Sequence, residues 1–386
     1  MSTVEVAGVG MTPFGKHPRR SLSSLAREAL ETAMADAGLD PSDIEAITFA
    51  NAAGGLMTGQ EMIRGQVALK NIGLQGVPII NVENACASGG TAAYVAWMAV
   101  ASGQADTAAA IGVEKLIDPD KQKSFDAIRS GTDLSLTESE IGEPGGSVMM
   151  AAYARHARRY SDRFGDITDA LAAIAVKNRR FASMTPTAQF RDPITAEDVA
   201  ASRLVADPLR LLTCSPLSDG AAAIIFTSER RPADHPTVRM PTCVLRSHDK
   251  GQSTVEEASR SLFRKSGLDP SEIDVFQLHD ACAYAELIQY EQVGLVPEGE
   301  AAVAAIEGRT DISGDFPVNT DGGLLSRGHP LGATGLAQLV ELTAQLRGTA
   351  IARQVNGARF GVAVNGGGWM GDDYGAAVAS LLTTAG

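Results

Sequence analysis

An internal repeat is the feature that most restricts how this chain can fold. Residues 37–49 align without gaps with residues 266–278, and both stretches contain the run Gly-Leu-Asp-Pro-Ser. In each copy the glycine can end a helix in the left-handed conformation, and the Asp-Pro pair can begin a short turn before a strand. Chance recurrence of common turn chemistry is the alternative. We interpret the match as a duplicated α/β unit.

Strand-like and helix-like segments alternate along the rest of the chain. In the first half we predict a helix over 21–37, a strand over 47–50, a helix over 60–69 and an apolar strand of buried type over 77–82. Such alternation is typical of an α/β fold with a mostly parallel sheet. A weaker echo of the repeat relates the helix and strand of 91–113 to those of 335–364.

The middle of the chain interrupts this alternation. Residues 114–208 are richer in charge and in helical patterning, and we interpret them as a helical insertion that caps the core. The sequence therefore predicts a duplicated α/β fold. One half consists of residues 1–113 and 209–235, the insertion of residues 114–208, and the other half of residues 236–386.

The charge balance excludes some classes of partner. The chain has 33 Lys and Arg against 46 Asp and Glu, a net charge of −13, which argues against nucleic acid or an anionic membrane surface as the main partner. No apolar run approaches the roughly 20 residues that span a bilayer. Four cysteines in 386 residues exclude a disulfide scaffold. We expect a cytoplasmic protein, and no metal site because the histidines show no ligand spacing.

Cys86 is predicted to lie between a strand and an alanine-rich helix over 87–102. A thiol at a helix N-terminus meets unpaired N–H groups and the positive end of the helix dipole, which favour the thiolate. Its small neighbours leave room for a substrate carbonyl. A buried structural cysteine is the competing interpretation.

His329 lies in a glycine-rich loop that runs from Gly322 to Gly335 and opens a helix. A single imidazole on such a loop suits a catalytic base that must come close to the backbone of its partner. A phosphate-binding loop is one alternative, although no Gly-Lys-Ser/Thr follows. A structural histidine is the other.

Two further polar segments follow predicted core strands. His279 and Asp280 end the strand over 275–278, and Asn365 with the glycines up to Gly368 follows the last buried strand. Polar residues at the carboxyl ends of strands build many α/β sites. His279 could donate a hydrogen bond to an oxyanion, Asp280 could orient a neighbour, and the glycine N–H groups could bind an oxyanion. Helix capping and a plain tight turn are the alternatives.

In this order and at this spacing, these segments resemble the thiolase superfamily, and most closely the sterol-carrier-protein-type and archaeal thiolases of the acetyl-CoA acetyltransferase kind. The resemblance rests on Asn84–Gly90, Lys177-Asn178 with Gln189-Phe190, Ser218–Ala223, His279-Asp280, Gly322-Gly323 and Gly328–Gly335. It implies a five-layer αβαβα fold of two similar halves with a loop domain inserted in the first. It also implies a homodimer and an acyl-CoA acyltransferase of lipid metabolism.

The resemblance implies roles for individual residues. Cys86 matches the nucleophile that takes the acyl group from a coenzyme A thioester, which is a substrate and not a bound cofactor. His329 matches the histidine that activates this thiol, and His279 matches a position in an oxyanion hole. The N–H groups of Cys86 and Gly367 match a second oxyanion hole.

A basic run in the insertion is a candidate for coenzyme A binding. Lys177, Arg179 and Arg180 lie in the region where family members hold the nucleotide of coenzyme A. A solvated helix face is the alternative interpretation of the same residues.

The second catalytic cysteine of typical thiolases is missing or displaced. One family position holds Asn365 and the other holds Ala281, with Cys282 one residue further on. Cys282 is the candidate replacement for the missing catalytic cysteine, although adjacent helical residues point about 100° apart and Cys282 can face elsewhere. Claisen condensation or thiolysis of a 3-oxoacyl-CoA needs a base for the α-carbon. The alternatives are acyl transfer or a retro-aldol reaction with a small partner subunit, or a non-catalytic acyl-CoA-binding subunit.

Overall fold

The structure, a computed structural model, describes residues 3–135, 147–229 and 235–384. Its strands are β1 (Glu5–Met11), β2 (Ala46–Ala50), β3 (Ile79–Val82), β4 (Thr107–Lys115), β5 (Leu204–Ala206), β6 (Leu209–Arg210), β7 (Asp219–Thr227), β8 (Val238–Ser247), β9 (Val275–Gln277), β10 (Phe360–Gly367) and β11 (Ala376–Thr384). Nine of these strands form one mixed sheet in the order β3-β2-β4-β7-β1-β8-β11-β10-β9, and β5 pairs with β6.

Helices connect and cover these strands. They are α1 (Leu22–Ala37), α2 (Gly54–Thr58), α3 (Arg64–Leu69), α4 (Ser88–Ala101), α5 (Lys121–Arg129), α6 (Val148–Phe164), α7 (Thr168–Ser183), α8 (Ala196–Ala201), α9 (Thr254–Ser266), α10 (Ala283–Gln292), α11 (Ala301–Ile306), α12 (Gly323–Arg327) and α13 (Leu331–Arg347).

The two copies of the repeat fold alike. Gly38 ends α1 with φ +63° and Gly267 ends α9 with φ +72°, the left-handed conformation that glycine adopts without strain. Each is followed by a single 3₁₀ turn that begins at the repeated proline and carries a capping box. These local predictions are confirmed.

The sheet repeats the same strand pattern twice. The order β3-β2-β4-β7-β1 in the first half corresponds to β9-β10-β11-β8 in the second, with parallel pairing at the outer end and antiparallel pairing towards the middle of the sheet. Val318 forms a parallel bridge to Phe276 where a counterpart of β3 would lie. The halves join through one register pair, Glu5 with Arg239.

Two helices lie between the two halves of the sheet. α4 packs on β2 and β4 and also on β8 and β11, whereas α13 packs on β4 and β7 and also on β9 and β10. α1 covers the outer face of the first half, and α9 covers that of the second. The layers are therefore helix, sheet, helix, sheet, helix, and the predicted five-layer duplicated α/β fold is confirmed.

The helical insertion follows the first half of the sheet. Strand β4 continues to Lys115, so the core extends slightly past the expected start of the insertion at residue 114. Helices α5 to α8 and the β5–β6 hairpin follow, and residues 136–146 lie outside the described part of the chain. Residues 230–234, just before the expected start of the second half, also lie outside it. The domain boundaries stay a prediction.

Two local predictions for the first half are wrong in detail. The helix expected over 60–69 begins only at Arg64, after a separate short helix, α2. The strand expected to be buried is β3, which forms an edge of the sheet, and Ile80 on it is 52% exposed. A continuous apolar run predicts a buried strand, but an apolar strand at the edge of a sheet has the same sequence pattern.

Among the residues that the structure describes, no helix has the length and apolar character needed to cross a membrane.

Candidate active site

Cys86 lies on a single 3₁₀ turn, Ala85–Ala87, that leads directly into α4. Ala85 has φ +49°, a conformation that costs an ordinary residue about 1 kcal/mol. The turn is held on both sides, because the carboxylate of Glu83 accepts the Ala85 N–H at 2.6 Å and the Ser88 hydroxyl donates to the Ala85 carbonyl at 2.6 Å. The backbone therefore fixes where the thiol stands.

Close packing of two helix N-termini brings the thiol to the His329 loop. A Cβ added to Gly89 would lie 2.8 Å from the Gly332 carbonyl oxygen, and one added to Gly335 would lie 2.3 Å from the Gly90 nitrogen. Only glycine permits this approach of α4 to α13. The glycines around His329 are therefore needed for the close contact between α4 and α13.

Three reactive groups from distant parts of the sequence meet at this point. The Sγ atom of Cys86 and one ring nitrogen each of His279 and His329 all lie within 4.8 Å of one another. The two imidazole rings are edge to face, with centroids 5.2 Å apart. Such a set suits a nucleophile with a base and a hydrogen-bond donor. Cysteine and histidine are also metal ligands, and the expectation that the site holds no metal stays a prediction.

The resting thiol of Cys86 is neutral. Burial raises its pKa to about 12, and the nearby Glu114 adds to this, against the N–H groups of Gly368 and of Cys86 itself, which lower it. The N–H groups lower the pKa as expected, but desolvation outweighs them, so the thiolate expected at this helix N-terminus is not the resting form. The thiol needs a base at the moment of reaction.

The hydrogen bonds of His329 make it that base. The Thr334 hydroxyl donates to the Pro330 carbonyl at 2.9 Å, so its oxygen accepts from Nδ1 of His329, 2.7 Å away. The proton is thereby assigned to Nδ1, which leaves Nε2 free to accept the thiol proton. Burial, then the neighbouring His279 and Arg327, lower the His329 pKa well below its usual value, so the imidazole is neutral.

His279 has the opposite tautomer. The Asn365 amide nitrogen, Nδ2, lies 3.2 Å from Nδ1 of His279 and can only donate, so the proton of His279 is on Nε2. Burial, and then Arg327, lower the His279 pKa to about 3. His279 is therefore a neutral hydrogen-bond donor. One histidine can accept a proton where the other donates a hydrogen bond.

Fixed backbone groups set the orientation of the Asn365 amide. Its oxygen accepts the Gly90 N–H at 3.2 Å, and its nitrogen donates to the Cys86 carbonyl at 3.1 Å. Because a backbone N–H only donates and a carbonyl only accepts, the amide cannot be turned over. The residue at the missing-cysteine position thus links the nucleophile turn to His279.

Cys282 is placed unfavourably for proton transfer. It is fully buried at the start of α10, whereas Ala281, the family position, lines the cavity beside Cys86 and Cys282 does not. Burial raises the pKa of the Cys282 thiol well above its usual value. The structure gives no support to the expectation that Cys282 replaces the missing acid/base.

The glycines after Asn365 approach the nucleophile closely. A Cβ on Gly367 would lie 2.2 Å from the Ala87 nitrogen. Both Gly367 and Gly368 line the cavity, and the Gly368 N–H is among the groups that lower the pKa of the Cys86 thiol. The second oxyanion hole expected at Cys86 and Gly367 stays a prediction, with Gly368 as an added donor.

Asp280 anchors the His329 loop. Its carboxylate accepts the N–H groups of Leu324 at 2.7 Å and Leu325 at 3.2 Å, and it would lie 2.2 Å from a Cβ on Gly323. It therefore caps α12, and only a glycine fits beside it. Its predicted orienting role acts through this loop.

The basic run of the insertion is engaged elsewhere. Lys177 is buried and pairs with Glu286 at 2.6 Å, and Arg179 is buried and donates to Ser326 at 3.0 Å. Arg180 pairs with Asp311 at the surface. None of the three lines the cavity at Cys86. Their assignment to coenzyme A stays a prediction that this geometry does not favour.

A cavity of about 460 Å³ opens beside the three reactive groups. Apart from them, its lining includes Met149, Met150, Phe125, Tyr153, Cys214, Leu217 and Tyr374. Lys121 and Arg203 line it as well and are exposed, so they place two positive charges at its mouth. Sequence reasoning missed these two residues, the tyrosines and Thr334, because none stands in a recognisable pattern.

Comparison with known families agrees with the predicted resemblance. Residues 4–230 match the family model of the thiolase N-terminal domain, and residues 242–379 match that of a thiolase C-terminal domain-like region.

Individual proteins and solved structures match over nearly the whole chain. Acetyl-CoA acetyltransferase of Methanothermobacter thermautotrophicus is 39% identical over 385 residues, covering 96% of this chain and 98% of that protein. Sterol carrier protein 2 of Gallus gallus is 35% identical over 378 residues, covering 92% of this chain and 68% of that protein. A solved structure, the Ltp2-ChsH2(DUF35) aldolase, superposes with a TM-score of 0.80 at 26% identity, covering 99% of this chain and 98% of that one.

Proposed function

Because this chain belongs to the thiolase family and is an acyltransferase of that family, we propose that it forms an acyl-enzyme on Cys86 from a coenzyme A thioester. The observation that carries the proposal is the neutral Cys86 thiol among two neutral histidines of opposite tautomer, with all three reactive atoms within 4.8 Å of one another. The acyl-CoA is the substrate, and no other cofactor is proposed.

Each group has a defined part in the acylation step. Nε2 of His329 accepts the proton of Cys86 as the sulfur attacks the thioester carbonyl, and the same imidazole returns the proton to the departing coenzyme A sulfur. Nε2–H of His279 donates to the developing oxyanion. The N–H groups of Cys86, Gly367 and Gly368 are available to the carbonyl oxygen of the acyl-enzyme.

The mouth of the cavity suits an anionic nucleotide. Lys121 and Arg203 are exposed there, in a protein whose net charge is −13. We assign them to the phosphates of coenzyme A in preference to Lys177, Arg179 and Arg180.

Intact-mass spectrometry after incubation with acetyl-CoA and longer acyl-CoAs tests the proposal. The wild-type protein should gain the mass of one acyl group, and Cys86→Ala should gain none. Cys214→Ala is the matched control, because Cys214 lines the same cavity and should be dispensable. Absence of an adduct with every chain length, or an adduct that persists in Cys86→Ala, would refute the proposal.

A second candidate function is a retro-aldol or acyl-transfer reaction that requires a small partner subunit. Two observations favour it: Asn365 stands where typical thiolases carry their second cysteine, and the similar solved structure is an aldolase named with a second component. Purification from the native source should then recover a small protein that restores turnover. A non-catalytic acyl-CoA-binding subunit would bind substrate and show no adduct.

The exposed edge of the sheet supports a homodimer. Among the described strands, β3 has a neighbour on one side only, and Ile80 on it is exposed. Leu56, Met62 and Ile63, in the segment that precedes β3, expose further apolar surface. We propose that a second copy covers this edge. The four cysteines are free thiols, which suits a reducing compartment, and we propose that the enzyme acts in the cytoplasm.

A further inference from the structure

Two buried tyrosines stand beside the nucleophile and have no part in acylation. Tyr153 on α6 and Tyr374 before β11 both line the cavity that holds Cys86, and their hydroxyl oxygens are 2.9 Å apart. The ring of Tyr374 meets the ring of His279 edge to face, with centroids 5.7 Å apart. In the described part of the chain, they are the tyrosines that line this cavity.

Tyr374 packs at the position where an acid/base is missing. A Cβ added to Gly366 would lie 2.8 Å from the Tyr374 ring, so glycine makes room for the ring one residue after Asn365. The Thr254 hydroxyl donates to the Tyr374 carbonyl at 2.9 Å, and Trp369 packs on the ring with centroids 5.5 Å apart. The phenol is therefore held rigidly next to the Asn365 site.

The hydrogen bond between the phenols has a direction. The Tyr153 hydroxyl donates to the Tyr374 oxygen, which leaves the Tyr374 proton available to the cavity. Burial raises the pKa of Tyr374 well above its usual value, and this outweighs the hydrogen bond from Tyr153, which lowers it. Tyr374 is therefore protonated at rest and enters a reaction as an acid.

We propose that Tyr374, assisted by Tyr153, is the acid/base for the α-carbon in carbon–carbon cleavage and condensation of 3-oxoacyl-CoA. The inference rests on the proposed acyl-enzyme at Cys86. It assigns to a phenol the proton transfer that a second cysteine performs in typical thiolases.

The proposed cleavage balances with the groups present. Cys86, deprotonated by His329, attacks C3, the C2–C3 bond breaks, and its electron pair goes to C2, which takes the proton of Tyr374. Acetyl-CoA leaves. The Tyr374 phenolate then regains a proton from solvent and the His329 imidazolium loses one, which restores both groups. His329 next takes the thiol proton of incoming coenzyme A, whose sulfur displaces Cys86 from the acyl group, and passes that proton to the departing Cys86 sulfur. Condensation is the reverse.

The phenol pair also has access to solvent. Tyr153 and Tyr374 line a second cavity, of about 340 Å³, together with the exposed residues Gln252 and Asp372. A proton on the pair can therefore exchange with water. In D₂O, the enzyme should consequently place deuterium on C2 of acetyl-CoA.

The test compares acylation with C2 exchange in the same variants. Tyr374→Phe should lose C2 deuterium exchange and cleavage of acetoacetyl-CoA by about 10²-fold or more, whereas its rate of acyl-enzyme formation should stay within about threefold of wild type. Tyr153→Phe should lose about tenfold in exchange. Tyr160→Phe is the matched control, a buried tyrosine that lines neither of these two cavities, and should leave both reactions unchanged.

Several outcomes would overturn the inference. Exchange retained by Tyr374→Phe, exchange and acylation lost together in a folded Tyr374→Phe, or a wild-type protein that acylates but exchanges no C2 hydrogen would each do so. A wild-type protein that forms no acyl-enzyme would refute the proposed function itself, so the two failures are distinguishable.

Discussion

The two halves of the sheet share one architecture but carry different residues where they meet. Extending the alignment of the repeat by one residue pairs Ala50 with His279. Gly112 is the sheet partner of Ala50. Continuing the register of β10 with β9 by two residues pairs Asn365 with His279, so Asn365 is the equivalent of Gly112 in the second half. One half thus has alanine and glycine at the sites where the other has a histidine and the amide that fixes its tautomer.

Packing explains this difference. A Cβ on Gly112 would lie 2.1 Å from the carbonyl oxygen of Gly332 in the first turn of α13. Small residues are therefore required in the first half, because the helix that presents His329 packs directly against this part of the sheet. The two halves therefore have different roles. The first half supports the helix that presents His329, and the second half carries His279 and Asn365.

The largest effect is expected from removing the base. His329→Asn should slow acyl-enzyme formation about 10³-fold, because no other neutral imidazole has a free nitrogen beside Cys86. Intact-mass spectrometry of reactions with an acyl-CoA, quenched at a series of times, measures the rate of acyl-enzyme formation. His235→Asn, away from the cavity, is the control and should react normally. Acylation unchanged in His329→Asn would break the proposed division between the halves.

A smaller loss is expected from the amide that distinguishes the second half. Asn365→Leu keeps the side-chain size but removes the donor to Nδ1 of His279, so the Nε2–H tautomer is no longer imposed. We expect a tenfold to hundredfold loss, about that of removing one oxyanion donor. Asn365→Ser, which retains a donor, should recover part of the activity. Nitrogen NMR of the imidazoles in wild type and variant reports the tautomer directly.

A larger residue at Gly112 should lower the free energy of unfolding more than it slows the reaction. Gly112→Ala places a methyl group against the backbone of α13, and overpacking of this kind costs about 1–3 kcal/mol. Denaturant unfolding measures it. Gly375→Ala is the control, since the nearest atoms to its Cβ are at 3.5 Å or more. An equally stable Gly112→Ala would show that α13 is free to move.

The two halves are also expected to give opposite pH dependences of stability. The His279 pKa falls from about 6.5 to about 3 on folding, so its contribution is present above pH 6.5 and is lost as the pH falls towards 3. Burial raises the Glu114 pKa from 4.5 to about 7, so its contribution is present below pH 4.5 and is lost as the pH rises through 7.

Between about pH 4.5 and 6.5 the two contributions oppose each other. Glu114→Gln should make the free energy of unfolding rise more steeply with pH in this window, and His279→Asn should make it rise less or fall. Unfolding curves at a series of pH values measure both slopes. Parallel curves for the two variants would contradict the assignment.

Much of the fold could be predicted from local chemistry. The helix stops at Gly38 and Gly267, the Asp-Pro turns and the duplicated strand pattern all depend on residues near in sequence. Cys86 and His329 could be singled out for the same reason, since each stands in a turn that opens a helix. The ion pair of Lys177 could not be predicted in this way, because its partner Glu286 is 109 residues away in sequence. The geometry therefore does not favour the assignment of Lys177 to coenzyme A.

The sequence by itself determined the α/β duplication, the nucleophile and the two histidines as candidates, and the absence of the usual second cysteine. Only the tertiary structure decided which nitrogen of each histidine carries the proton, that Cys86 rests as a thiol, and that Tyr374 stands beside the empty acid/base position. Turns and caps follow from neighbouring residues. Tautomers, pKa values and proton donors follow from burial and from partners that the fold brings together across the two halves.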